Sequence, residues 1–202
     1  MVIIFENDYL DALRVALDTV DDNLIYEKAL NGIHFDFKNR RMLASDGHRA
    51  FICELPTADI TTESITIVVK HPVTGAQVRK IPNSWKKVVL DFDNMLLHGT
   101  KGQFNLIKVD SDYPVNGLNS IMKDAVKSGY ISNIGTGVVF NLDLIAGWKV
   151  GAIPSIGFSM IEKSNKMIVV TFPNLTIDHI GIIMPMNFSP IDFRERIGGL
   201  VV

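Results

Sequence analysis

The sequence predicts an α+β fold: antiparallel sheets with few helices, built from repeated strand-helix-strand units. Three observations predict it. Short apolar runs rich in Val, Ile and Phe recur along the 202 residues, punctuated by turn dipeptides such as Asn31-Gly32, Asp46-Gly47 and Asp93-Asn94. A stretch beginning after Asn7 carries apolar residues at helical spacing. Further on, Val138-Val139-Phe140 repeats the opening Ile3-Ile4-Phe5 and again precedes apolar residues spaced for a helix. The repetition has a physical basis. One amphipathic helix covers one face of a small antiparallel sheet, and neither element buries itself alone.

In order, Val2–Phe5 reads as a strand. Asn7 and Asp8 are suited to cap a helix whose stripe is Leu10, Leu13, Leu17 and Val20. Asp8 and Asp11 also suit the positive end of its dipole. Strands follow at Ile33–Phe37, Met42–Ala44 and Ala50–Glu54, the last two separated by the polar bend at Asp46-Gly47. Ile65–Val69 opens a second unit. Its expected helix, between Pro72 and Pro82, has room for two turns at most. Strands are expected at Lys87–Phe92, Asn94–His98 and Phe104–Val109. Ser111–Gly135 has poor periodicity and contains Tyr113-Pro114 and Asn116-Gly117, so it reads as a connector. In the third unit Asn141 caps a helix over Leu142–Val150, and strands follow at Ile156–Glu162, Lys166–Phe172 and Ile177–Pro185.

Composition narrows the function classes. Apolar residues make up 47% and charged residues 21% of the chain, the balance of a folded globular protein. The single cysteine, Cys53, gives no intramolecular disulfide and no multi-cysteine zinc site, which suits a reducing cytoplasm. The opening residues lack the pattern of a signal peptide, and no run reaches the length of a membrane helix, so a cytoplasmic protein with no membrane partner is expected. Enzyme signals are weak. Asp46, His48 and Cys53 form no evident nucleophile-base pair, His71, His98 and His179 lack metal spacing, and no glycine-rich phosphate loop is present. No catalytic residue, metal or cofactor is expected.

The net charge of -2 conceals an asymmetry. Between Ser64 and Leu90 the chain carries Lys70, Arg79, Lys80, Lys86, Lys87 and His71 and no acidic residue, whereas the N-terminal segment carries Asp8, Asp11, Asp18, Asp21 and Asp22 against Arg14. Two readings fit: a nucleic-acid face on an otherwise acidic protein, or lysines that keep a β-rich segment soluble.

Three separated segments carry a resemblance: Leu30-Asn31-Gly32, the run Ala44-Ser45-Asp46-Gly47-His48-Arg49, and Met184-Pro185-Met186. With Val69-Lys70, Asp112-Tyr113-Pro114 and Phe140-Asn141, in this order, the chain resembles the bacterial replicative sliding clamps, the DNA polymerase III beta subunit family. Residues 1–118 resemble the family's middle domain and 137–188 the second half of its last domain, with a connector at 119–136 and a tail at 189–202. The family's first domain has no counterpart, and the first half of its last domain is replaced by a short segment. By analogy such compaction fits a clamp from a phage or mobile element.

The resemblance implies a processivity factor that binds duplex DNA without sequence preference and holds peptide motifs of DNA polymerase and clamp loader. Carried over by position, the peptide pocket would comprise Leu30, Ser45, Gly47, His48, Arg49, Ala50, Pro114, Ile182, Met184, Pro185 and Met186. The residue types suit a peptide groove. Methionines adapt to varied ligands, Gly47 lets the turn bend, and Arg49 could pair with an acid or hold a peptide carbonyl. Burying about 400 Å² of apolar surface yields ~10 kcal/mol gross. Ordering the peptide leaves about micromolar affinity. For DNA the candidates are Lys70, Arg79, Lys80, Lys86, Lys87, Lys123 and Lys127, which would meet phosphates and read no bases. The exposed face of the first helix is expected to be acidic apart from Arg14, which is awkward for a helix lining a DNA channel. A closed head-to-tail homo-oligomeric ring, a trimer in the first instance, is expected. The alternative is a clamp-like adaptor or decoy that binds replication peptides without encircling DNA.

Overall fold

The computed structural model describes residues 1–20, 28–56, 63–127, 130–131, 148, 157–161 and 168–183. In chain order the elements are β1 (Val2–Glu6), α1 (Asn7–Thr19), a 3-10 turn (Lys28–Asn31), β2 (Ile33–Asp36), β3 (Arg41–Ser45), β4 (Arg49–Glu54), β5 (Ile65–Lys70), β6 (Lys87–Asp91), β7 (Leu96–Gly99), β8 (Gly102–Lys108), α2 (Val115–Lys127), β9 (Tyr130–Ile131), β10 (Gly157–Ile161), β11 (Ile168–Thr171) and β12 (His179–Ile183). Among the described residues the strands form one antiparallel sheet of twelve, ordered β1-β6-β7-β8-β5-β2-β3-β4-β12-β11-β10-β9. The α+β class follows, and the strands other than β9 fall on or near the apolar runs expected to form them. The sheet is continuous across the seam where β12 pairs β4, with Ile180 opposite Ile52, Ile182 opposite Ala50 and Ile183 opposite Arg49.

The eight-strand portion curls until its ends share a core. Phe5 on β1 meets Phe35 on β2 edge-to-face at 6.5 Å, although four strands separate them in the sheet order. Phe92 packs edge-on against both Phe35 and Phe37, at 5.4 and 5.8 Å. Such ring pairs add directional energy to the apolar burial.

α1 lies inside this curl, against β1, β3, β4 and β6. Every residue from Leu10 through Thr19 is buried, which corrects the expectation of an exposed acidic helix face. The reason is a strap, residues 71–86, laid over the side of α1 that the sheet leaves uncovered. Instead of one or two helical turns, the strap contains no helix. Pro72 and Pro82 interrupt the backbone donors, and Val78, Ile81 and Trp85 turn inward into the core. The charges of α1 are satisfied internally. Arg14 pairs with Asp11 at 2.6 Å and donates to the carbonyls of Pro82 and Trp85 at 3.2 and 2.8 Å. Arg79 donates to the carbonyl of Asp18 at 2.7 Å. Buried charge is tolerable only with such partners. Trp85 itself fills the space above β7, where a Cβ on Gly99 would collide with its ring.

The helix start also differs from expectation. Glu6 holds the N-cap position without a side-chain bond, and Asn7 takes φ 52° at the strand-helix corner, a conformation asparagine tolerates. Asp8 does not cap. Its carboxylate accepts from the Thr176 amide at 2.8 Å and hydroxyl at 2.5 Å, bonds that hold its pKa below the ordinary carboxylate value.

The segment expected to be a connector, Ser111–Gly135, contains α2 and β9. Val115, Leu118 and Ile121 form a narrow stripe, and the Asn116-Gly117 pair, a turn signal by composition, sits in the first helical turn. Strand alternation shows which side α2 occupies. On β4, Phe51 and Cys53 join the core around α1, whereas Ala50 and Ile52 pack with Leu118; on β12, Ile183 faces the α1 core and Ile182 packs with Ile121. α1 and α2 therefore cover opposite faces of the same sheet. The expected helix over 142–150, apart from Trp148, and the tail at 189–202 lie outside the described residues.

Candidate functional site

The turn between β3 and β4 is built by short-range hydrogen bonds. Asp46 accepts from the amides of His48 and Arg49 at 2.9 and 2.8 Å through one oxygen, and from Arg49 Nε at 2.9 Å through the other. The Ser45 hydroxyl donates to the Arg49 carbonyl at 2.9 Å and accepts from the Gly47 amide at 3.1 Å. Gly47 has φ 86°, a left-handed conformation that a side chain would strain. Asp, Gly and Ser at these positions thus specify the bend directly.

Arg49 anchors the turn to the opposite face of the sheet. Its Nη1 meets the Asp18 carboxylate at 3.1 Å and its Nη2 the Asp18 carbonyl at 2.5 Å. The guanidinium also lies 5.5 Å from the ring centre of Trp148, which is fully buried and donates from Nε1 to the Thr19 hydroxyl at 2.7 Å. Bound on both sides, the guanidinium acts as a strut for the turn.

Above the turn is a cleft of about 230 Å³. The 3-10 turn supplies Leu30; the end of β3, the β3–β4 turn and β4 supply Ser45, Gly47, His48, Arg49 and Ala50; β12 supplies Ile182; and Pro114, just before α2, also lines it. The sequence-expected positions that are described therefore converge, although Ile182 and Ala50 are joined only by the β4–β12 pairing. Met184, Pro185 and Met186 lie outside the described residues. Gly117, Leu118 and Ile121 of α2 also line the cleft and escape the sequence reading. Their signal is the spacing of Val115, Leu118 and Ile121, masked by the adjacent Asn-Gly pair.

The surroundings of the cleft are predominantly apolar. Beneath it, Tyr113 stacks on His34 with ring centres 4.8 Å apart and an angle of 12°. Burial pushes the Tyr113 phenol above its ordinary pKa, reinforced by the negative charge of Asp46, and its hydroxyl has no hydrogen-bond partner among the described residues. Burial lowers the pKa of His34, whose Nδ1 lies 2.9 Å from the Thr66 hydroxyl. Arg41 on β3 ties α2 in place through Asn119 at 2.7 Å.

The basic candidates separate. Arg79 and Lys80 line a shallow depression with His71, Thr74, Gln77, Asp18 and Phe104. Lys86 is exposed further along the strap, and Lys70 is half-buried at the end of β5. Lys87 borders a different depression beside Glu6 and Asp8. Lys123 is exposed on α2, on the other side of the sheet from the strap, and Lys127 ends that helix. The structure brings the strap cations to the α1 side and leaves Lys123 apart from them.

No catalytic centre or metal site emerges among the described residues. Cys53 is buried, and burial raises its thiol pKa, the reverse of what a nucleophile needs. His179 uses Nδ1 toward the Ile177 carbonyl and Nε2 as acceptor for the Phe172 amide. Among the described residues no three His, Cys, Asp or Glu side chains gather as metal ligands, and no helix is long and apolar enough to cross a membrane.

The fold belongs to a clamp-like class, with antiparallel strands predominating and helices set against a continuous sheet. Among solved structures it is similar to the DNA polymerase III beta chain of Streptococcus pneumoniae TIGR4, at TM-score 0.54 and 13% identity over 93% of this chain and 65% of that one. The DNA polymerase sliding clamp of Pseudomonas aeruginosa, solved with a ligand, gives TM-score 0.54 and 15% identity over 93% of this chain and 66% of that chain. DNA polymerase III subunit beta of Borrelia burgdorferi, solved in complex with a natural product, gives 0.54 and 12% over 94% and 65%. At these identities the likeness is one of fold, and the chain spans only 65–66% of the length of these structures. No family profile and no curated protein matches the sequence.

Proposed function

We propose that this protein is a sliding-clamp-like processivity factor, non-enzymatic, which holds apolar peptide motifs of replication proteins in the cleft and meets duplex DNA through the strap. The observation that carries the reading is the convergence of Leu30, the 45–49 turn, Pro114 and Ile182 on one small apolar cleft. Such a cleft suits a short extended segment with apolar anchors. Met184, Pro185 and Met186, which follow β12 in the sequence, are proposed as further residues of the peptide site. Arg49 holds the turn rather than the peptide, because its guanidinium is committed to Asp46 and Asp18.

The DNA face is proposed on the α1 side, where Arg79, Lys80 and Lys86 stand on the strap, with Lys70 and Lys87 at its ends. The acidic residues Asp11 and Asp18 of α1 are paired beneath the strap, which removes the electrostatic objection to DNA on this side. Lys123, exposed on α2 across the sheet from the strap, is left out of the proposed face. In this reading, copies of the chain close head-to-tail into a ring, as a trimer, in the cytoplasm.

Fluorescence anisotropy with a labelled C-terminal peptide of a replicative polymerase tests the cleft. Leu30→Ala should weaken binding about tenfold while the protein stays folded; equal affinity removes the peptide assignment. For the strap, Lys80→Ala and Lys86→Ala should each lower the slope of log affinity against log salt by about 1 on duplex DNA. Retention on circular but not linearised plasmid separates a ring from an adaptor that binds peptides without encircling DNA.

A further inference from the structure

The cleft is open because three of its wall positions carry little or no side chain: Gly47, Ala50 and Gly117. The first two have structural reasons. Gly47 needs its left-handed backbone, and Ala50 is buried in the sheet between its partners Ser45 and Ile182. Gly117 has neither reason. It lies in α2 without a positive φ, and a Cβ there would meet no atom within 4 Å outside its own helix. Glycine is a poor helix former, and alanine at a compatible backbone position ordinarily stabilises by restricting the unfolded chain. The free protein thus gains nothing in packing or backbone geometry from glycine at 117. Gly117 is exposed and lines the cleft, and the space its missing side chain would take is open.

Resting on the peptide-cleft reading above, we propose that Gly117 is the position that determines which peptides fit. The volume a side chain would occupy at 117 is the seat of the largest apolar side chain of the bound peptide. Size supports this. An apolar cavity of about 150 Å³ accepts a benzene ring, so about 230 Å³ holds one aromatic ring and a smaller apolar group beside it. Leu118 and Ile121, one helical turn on the same wall, flank that seat and supply its apolar lining. α2 is then the selective wall, while the β3–β4 turn and β12 form the fixed one.

The test uses the intact protein and, as probe, the tightest-binding sequence from a displayed library of random octapeptides, labelled for anisotropy. Gly117→Ala should raise the melting temperature yet weaken the probe about tenfold, a combination that a purely structural role does not produce. Gly117→Leu should weaken it further and, when used for selection, return sequences whose largest apolar residue is smaller. Truncating that residue of the probe to alanine should cost affinity on the wild type but little more on Gly117→Leu. If the wild type selects a peptide that Leu30→Ala weakens and folded Gly117→Leu binds unchanged, the cleft reading stands and this inference fails. If the wild type selects no peptide, both fall.

Discussion

The two faces of the sheet, built from alternate residues of the same strands, are finished in opposite ways. On the α1 face Phe51, Cys53 and Ile183 enter a core closed by the helix, the strap and Trp148, with Arg14, Asp18 and Arg49 neutralised inside it. On the α2 face Ala50, Ile52 and Ile182 meet one helix that touches them mainly through Leu118 and Ile121, and a cleft remains. A single alternation in β4 and β12 thus yields both a closed interior and an accessible apolar groove. The difference lies in what covers each face, since these strands carry buried apolar residues on both.

The contrast is most severely tested at Trp85. Trp85→Ala should lower unfolding free energy by about 4 kcal/mol in urea titration, and Gly99→Ala should act similarly by forcing the same ring out of its place. A loss below about 1 kcal/mol would mean the strap contributes little closure. Next comes the strut that links the faces. Arg49→Ala leaves the Asp18 carboxylate buried without its cation and should cost about 3 kcal/mol. Arg49→Lys should not restore it, because an ammonium cannot span Asp46 and Asp18 together. On the thinly covered face, Leu118→Ala should cost about 2 kcal/mol, at the low end for a buried leucine because it lies at the cleft margin. The smallest effect belongs to His34. Its folded pKa lies below its unfolded value, so above about pH 6.5 both states are neutral and it has no effect. As pH falls below that value the unfolded chain takes up the proton first and stability declines toward the folded pKa. His34→Gln should flatten this part of the stability-pH curve, measured by urea midpoints between about pH 7 and 5.

What could be read from the sequence follows the range of the interactions concerned. β2, β3 and β4 were legible because period-two alternation and the Asp46-Gly47 bend are local. The stripe Leu10, Leu13, Leu17 and Val20 located α1, but not the burial of its polar side, since Asp11 and Arg14 are covered by the distant Pro82 and Trp85. α2 was hidden because Asn116-Gly117 has turn chemistry and its apolar stripe, Val115, Leu118 and Ile121, is narrow. The prolines of the strap correctly argued against a long helix, but nothing nearby indicated that Trp85 would find its space beside Gly99. Leu30, the 45–49 turn and Ile182 were grouped by resemblance alone. Their meeting depends on a strand pairing that no local pattern encodes.

That pairing has a consequence for how the molecule comes into being. Cys53 on β4 lies opposite His179 on β12, so the chain must be synthesised through β12 before this edge of β4 finds its neighbour. Closing so long a loop is entropically slow, and until it closes the nascent sheet exposes unmatched amides and carbonyls. The groove is therefore completed only after β12 has been made.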